Sequence, residues 1–421
     1  MSKSATARMA CWAWMAAAAA GCGSLAAGSP PAAHGVEYRG GSWFDGTRFV
    51  ARTMYVADGV FRTRAPARID SVVELHGGYV VPPFADAHQH LLDPRIGPVI
   101  AAFLRDGVFY VKDQSNAPIL RRIIDPAVNR PTSIDFISAN QGWTSPGGHP
   151  VEVIRRGGAQ MPGPLGEFLR DSLDPGAINQ VDDVAGIERR WAYFLGGKPD
   201  FVKVYLLRSE NYARLRNDPR AEGNRGIDPA LVPEIVRRAH AAGLQVSAHV
   251  ETVADFRNAV NGGVDQLAHL PGGRGPDALY LLTDADAALA AARHVAVITT
   301  VAMRGDSAET DRLMRAQYAH NLEVLRRHRV PLLLGSDLIG GTAATEAAAL
   351  ARSGVFGNLE LLRMWSVTTP RAIFPQRRIG MLADGYEASF LVLRGDPLAD
   401  FRNTSAIALR VKQGVMLRPG R

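Results

Sequence analysis

Six residues whose side chains can hold a metal ion occur in one order along the chain. They are His88 and His90, in Asp86-Ala87-His88-Gln89-His90, followed by Lys203, His249, His269 and Asp337. Imidazole nitrogens and carboxylate oxygens are ordinary ligands of divalent ions. His88 and His90 are two apart, and on an extended strand residues i and i+2 face the same side. Both rings can then grip one ion. They follow the apolar run Val80-Val81-Pro82-Pro83-Phe84-Ala85. Asp86 is placed to orient a ring through its second nitrogen. An isolated His-x-His also arises as a surface pair, so the weight falls on the other four residues.

Lys203 lies inside Phe201-Val202-Lys203-Val204-Tyr205-Leu206-Leu207. A buried, unpaired ammonium is costly and shifts its pKa or recruits a partner. The chain carries its positive charge almost wholly as arginine and has lysine only at positions 3, 112, 198, 203 and 412. A lysine in an apolar strand therefore suggests that an amine is needed there, against the alternative of a lysine snorkelling from an edge. Tyr205 shares its face. His249 ends Leu244–Ala248, His269 ends Val264–Ala268, and Asp337 follows Pro331–Ser336. His149 sits in the loop Gly142–Pro150. It is a candidate for substrate contact or transition-state support.

Apolar strands alternating with helical stretches would position these residues. Candidate strands are Val80–Ala85, Val108–Val111, Ser133–Ser138, Phe201–Leu206, Gln245–Ala248, Gln266–Ala268, Val295–Thr299 and Val330–Leu334, with helices such as Pro233–Ala242 and Ala308–Arg327 between them. That is an α/β pattern and predicts a (β/α)8 TIM barrel over 81–377, with the site at the strand ends. A doubly wound open sheet would want a glycine fingerprint after an early strand, and none is present. Residues 36–80 carry short alternating segments parted by Asp45-Gly46 and Asp58-Gly59, which reads as a small antiparallel sheet. Strands Ala388–Leu393 and Ile407–Val411 repeat the style. Segments 36–80 and 378–421 are expected to form one β-sandwich.

The chain has 421 residues, 47% of them hydrophobic, and a formal charge of +7. Its Lys and Arg are scattered, without aromatic interleaving, which argues against a nucleic-acid partner. Lys3 and Arg8 precede an apolar stretch from Met9 to Ala20, too short to span a bilayer. Ala19-Ala20-Gly21-Cys22 resembles a lipobox, with Cys22 as the lipidated residue. Residues 1–22 are read as an export signal and 23–35 as a flexible tether. The expected location is periplasmic or outer-membrane, with membrane contact only through that anchor. Cys11 and Cys22 are the only cysteines, so the mature body has no disulfide and no thiolate.

The order His-x-His, Lys, His, His, Asp on eight strands resembles the amidohydrolase superfamily. Gly40–Gly46 and Gly380–Leu393 resemble the family's sandwich segments. The resemblance implies that His88, His90 and Asp337 hold one divalent ion and His249 and His269 a second. Lys203, carboxylated by CO2, would bridge them. Zn2+ is the first choice, and Mn2+ or Co2+ also suit. A bridging hydroxide would attack a carbonyl, with Asp337 moving the proton. The Gly147-Gly148-His149 loop looks like the branch of dipeptide, N-acyl amino acid and imidazolonepropionate-type hydrolases, which implies carbon–nitrogen bond cleavage. Proline-directed members carry a tyrosine where this chain has Glu251.

The substrate is expected to be a small molecule. Arg208, Arg274 and Arg304 lie on loops where they could meet a carboxylate, or could simply be solvated or paired with Glu210 and Asp306. Glu251 and Tyr205 are the other candidates for substrate contact. The same ligand set would serve a lactonase or a phosphotriesterase. A mononuclear deaminase would lack Lys203, and a non-catalytic binding lipoprotein would have lost ligands. A homo-oligomer is left open.

Overall fold

The computed structural model describes residues 34–93, 95–160, 166–167, 169, 174, 176–303 and 307–418. The expected export signal with Cys22, nearly all of the tether, and Arg304 lie outside these residues. Among the described residues no helix is long and apolar enough to cross a membrane.

The chain opens with β1 (His34–Phe44), β2 (Phe49–Ala57), β3 (Val60–Arg62), β4 (Arg68–Glu74) and β5 (Tyr79–Val81). β1 takes in His34 and Gly35, assigned above to the tether, because Gly35 pairs with Ala57 and His34 with Arg68. The antiparallel expectation is corrected here. β1–β2 is antiparallel, but β4 and β5 both pair parallel to β1. The Asp58-Gly59 turn makes a hairpin of β2 and β3, whereas β4 and β5 pair in succession with the first and last parts of β1 and run in its direction.

The barrel strands are β6 (Phe84–Gln89), β7 (Val108–Asp113), β8 (Asp135–Ser138), β9 (Gly142–Thr144), β10 (Ile178–Gln180), β11 (Val202–Tyr205), β12 (Val246–His249), β13 (Gln266–Leu267), β14 (Ala296–Ile298) and β15 (Leu332–Leu333). The order β6-β7-β8 continues through β9-β11-β12-β13-β14-β15, all parallel. β8 meets the expected third strand, Ser133–Ser138, and the segment Gly142–Pro150, expected as the loop after it, opens instead with a further short strand, β9. β8 pairs with β7, and after residues 139–141 the chain resumes as β9 beside β11 and β10. Nearly all the barrel-strand residues are buried, as expected where one face meets the barrel interior and the other meets helices. The ring closes where the Ala87 amide donates to Leu334 O at 2.9 Å and the Asp337 amide to His88 O at 2.8 Å. That approach requires Gly335, since a Cβ there would lie 2.7 Å from the His88 nitrogen and 2.5 Å from Ile298.

After the barrel the chain returns as β16 (Phe390–Leu393), β17 (Ile407–Lys412) and β18 (Val415–Leu417). β16 pairs with β5, joining both ends of the chain in one eight-stranded sheet. The sheet folds onto itself as a sandwich, because Val60 bridges Glu387 and the Phe61 amide donates to Tyr386 O. Tyr38, Trp43, Phe61 and Phe390 fill its interior, with Tyr38–Phe390 ring centres 5.0 Å apart. Lys412 on β17 donates to Asp135 at the start of β8, at 2.7 Å, and so ties the sheet to the barrel.

Lys112 on β7 is a second lysine within the barrel. Its amine donates to Gln266 Oε1 at 2.6 Å and lies 3.9 Å from the Phe201 ring centre. Burial pushes its pKa down to about 7. A lysine with a folded pKa near 7 and an unfolded pKa near 10.5 costs stability fully below pH 7. The penalty fades as the pH rises towards 10.5. Lys112→Met is therefore expected to be more stable at pH 6–7, by about 1–3 kcal/mol after the loss of the Gln266 bond. The gain should shrink above pH 9. Urea unfolding at pH 6.5 and 9.5 measures it, and an equal change at both would sink the argument.

Candidate metal centre

β6 carries His88 and His90 to the strand end, β11 carries Lys203, β12 ends on His249, His269 follows β13 and Asp337 follows β15. The parallel register lines up these strand ends, pairing Tyr205 with His249 and Ala248 with Leu267. The result is a chain of rings. Ring centres are 5.3 Å apart for His88–His90, 4.6 Å for His88–His269 and 4.5 Å for His249–His269. Asp337 stands among them, its carboxylate 3.3 Å from His90 Nε2, 3.5 Å from His88 Nε2 and 3.8 Å from His269 Nε2. His88, His269 and Asp337 form a group that could hold a metal ion.

The other ring nitrogens show why the Nε2 atoms converge. His88 Nδ1 lies 2.8 Å from Ala268 O, and His90 Nδ1 lies 3.0 Å from Ser115 O. A carbonyl only accepts, so each Nδ1 carries the proton and each Nε2 keeps a free lone pair. His269 Nδ1 is 3.0 Å from the Thr300 hydroxyl. His249 Nε2 is buried with no hydrogen-bond partner among the described residues. Lone pairs aimed inward, an orphaned imidazole nitrogen and a carboxylate beyond ordinary hydrogen-bond length suit divalent cations.

Electrostatics agree. Burial drives the His88 and His269 pKa values well below the ordinary histidine range and lowers that of His249. Neutral imidazole is the ligand form. Burial alone would raise Asp337, but the surrounding imidazoles override it and hold the carboxyl well below its usual range. His90 moves the other way, since Asp337 outweighs its burial.

Lys203 is fully buried. Its Nζ reaches Gln114 Oε1 at 3.4 Å, a long contact to a neutral acceptor, and lies 5.2 Å from the Tyr205 ring centre. Burial lowers its pKa to about 7. It is no edge lysine.

Asp86 is corrected. It orients no imidazole. It accepts from the Ser336 amide and hydroxyl at 2.9 and 2.7 Å, from Gln89 Nε2 at 3.1 Å and from the His88 amide at 3.2 Å. Its short side chain is taken up pinning the last strand to the first, while the rings find backbone carbonyls instead. Burial raises its pKa to about 6.

His149 lies beside the cluster, its ring centre 4.7 Å from His249 and 5.7 Å from Tyr205. Glu152 Oε1 is 3.3 Å from its Nδ1. Glu251 Oε1 stands 3.8 Å from His249 Nε2. Arg208 is exposed, and Glu210 accepts from Thr252 rather than pairing with it. The Arg274 guanidinium donates to Thr310 Oγ1 at 2.6 Å and to Ser307 Oγ at 3.4 Å, tying its loop to the helix Ala308–Arg327.

Sequence reasoning missed Thr300 and Glu346. Glu346, fully buried in the helix Ala343–Ser353, accepts from the Val301 and Ala302 amides at 2.9 and 2.6 Å and from Thr299 Oγ1. This fixes the turn in which Thr300 adopts φ 45° and meets His269. Thr300 ends the Val295–Thr299 run, a signal of the kind that flagged the other strand ends. Thr300→Val is expected to weaken metal binding about tenfold by freeing the His269 ring. Chelator competition measures it, and unchanged affinity would remove Thr300 from the site's support.

Residues 220–416 match the amidohydrolase family. Among solved structures, a prolidase complexed with N-methylphosphonate-L-proline superposes with a TM-score of 0.70 at 20% identity, over 91% of this chain and 99% of its own. Ochratoxinase from A. niger gives 0.71 at 17% identity, over 91% and 96%. A putative prolidase from Bifidobacterium longum gives 0.69 at 18% identity, over 93% and 96%. At these identities the structures show a shared fold. No curated protein matches the chain in sequence. A barrel of parallel strands joined to a sandwich of both chain ends is the fold this chain shares with those structures. Residues 220–416, just under half of the chain, thus carry the match to the amidohydrolase family, and the chain as a whole shares the fold of these hydrolases.

Proposed function

We propose that the protein hydrolyses a carbon–nitrogen bond, amide or peptide-like, in a small molecule, using two divalent ions. His88, His90 and Asp337 would hold one ion, His249 and His269 the other, and Lys203, carboxylated on its amine, would join them. The observation that carries this reading is Lys203: a fully buried amine whose charge is felt by the His88, His249 and His269 imidazoles, with one long hydrogen-bond contact, to a neutral acceptor. For a free ammonium the long Gln114 contact, the Tyr205 ring and the charge of Asp337 do not offset burial, which still lowers the pKa, whereas a carbamate would be neutralised by divalent ions.

When bound, the ions supply Lewis acidity, which eases deprotonation of water and polarises a carbonyl. Asp337 is the residue that can take the proton from the attacking water, since its carboxyl stays ionised at neutral pH. It can return that proton to the leaving nitrogen. His149, held by Glu152, is placed to donate to the oxygen that gains charge. The prolidase and ochratoxinase relatives favour carbon–nitrogen bonds over lactones and phosphotriesters. Arg208 remains a candidate for a substrate carboxylate, and Arg274 is engaged elsewhere. Residues 1–22 support export with lipidation at Cys22.

The test is a screen of the zinc-, manganese- and cobalt-loaded protein against dipeptides, N-acyl amino acids, lactones and aryl phosphotriesters. Expected is turnover of an amide substrate, lost on chelation and restored by metal. A protein that binds no metal and gains no activity from it would be the binding module instead.

A further inference from the structure

Glu251 lies two residues beyond the end of β12, and its backbone is held on two sides. Its amide donates to Asp255 Oδ2 at 3.1 Å, and its carbonyl accepts from Gly272 N at 3.1 Å. Asp255 is buried and also fixes the Thr252, Arg208 and Ser209 amides. A side chain leaving so fixed a backbone has a short reach, and it reaches the cluster. Glu251 Oε1 lies 3.8 Å from His249 Nε2, the buried nitrogen with no hydrogen-bond partner among the described residues.

That separation is too long for a hydrogen bond. It matches the 3.8 Å between Asp337 and His269 and is slightly longer than the 3.3–3.5 Å between Asp337 and the β6 histidines. Two atoms bound to one ion at about 2.1 Å lie about 3.0–3.5 Å apart. A small side-chain rotation would close the difference. Glu251 thus stands to His249 as Asp337 stands to the other histidines, and the two carboxylates bracket the row of rings.

We infer that Glu251 is a further ligand to the ion held by His249 and His269. This rests on the two-ion reading above. His249 and His269 bring no charge to that ion when neutral, so a carboxylate from the β12 loop strengthens its hold. Glu251 then acts on the metal rather than on the substrate.

The test uses the full mature chain with Glu251→Gln, Glu251→Ala and Glu251→Asp. Metal content, chelator competition and the visible absorption of the Co2+-loaded protein are read beside thermal melts. Wild type is expected to bind two ions. The Gln and Ala variants should keep the first and hold the second at least about tenfold more weakly, with a changed Co2+ spectrum. Glu251→Asp should recover part of the affinity. Two ions bound with unchanged affinity and spectrum in Glu251→Gln overturn the inference and leave the two-ion reading standing. A raised KM in that variant would then place Glu251 on the substrate. Fewer than two ions in the wild type overturn both.

Discussion

Lys203→Ala is expected to lower kcat/KM by at least about a thousandfold and to cut metal content. Lys203→Arg should do no better, which is the sharper result. Arginine keeps the charge and much of the length, but its guanidinium stays protonated and cannot take up CO2. A structural cation would be replaced well, whereas a carbamate precursor would not. Carboxylation joins the neutral amine to CO2 and releases one proton. Burial pushes the Lys203 pKa down to about 7, so below pH 7 the reactive fraction falls about tenfold per unit. Reactivation of the metal-free protein by metal and bicarbonate should therefore be faster at pH 8 than at pH 6. An active Lys203→Arg variant, or reactivation indifferent to bicarbonate, would rule out the carbamate.

Asp337→Asn is the second large effect. Asn has nearly the same shape and tolerates the left-handed backbone, φ 51°, that Asp337 adopts. The substitution removes charge and proton affinity with little change in packing. Two losses are expected. Metal binds more weakly, because three imidazoles no longer face an anion. At saturating metal kcat should remain down by about 10²–10⁴-fold, because the water's proton has no acceptor. Titrating metal into the variant separates the two. Full kcat on saturation would make Asp337 a ligand only and would move the proton role elsewhere.

The residues legible before folding share one signature: a polar group that breaks or ends an apolar run. Lys203 inside Phe201–Leu207 and the histidines ending the next strands are of this kind, because a parallel barrel buries its strands and opens its loops on one rim. Thr300 carried a fainter form of that signal, being a threonine after a threonine. Glu346 carried none, since a glutamate in an alanine-rich helix reads as solvated until the helix is seen to bury it under the 299–302 turn. Asp86 misled because proximity in sequence suggested a histidine partner. The contact that claims it, Ser336, is 250 residues away.

Sequence alone determined the strand–helix alternation, the pairing of the two chain ends and the order of the candidate ligands. These depend on local periodicity and on the cost of burying charge, which single segments express. Tertiary structure decided which ring nitrogen faces inward, which carboxylate stands beside which imidazole, and that Glu251 approaches His249 while Arg274 turns to Thr310. Those contacts join residues from different strands and loops. Their distances exist only once the barrel closes at Gly335 and brings the first strand end to the last.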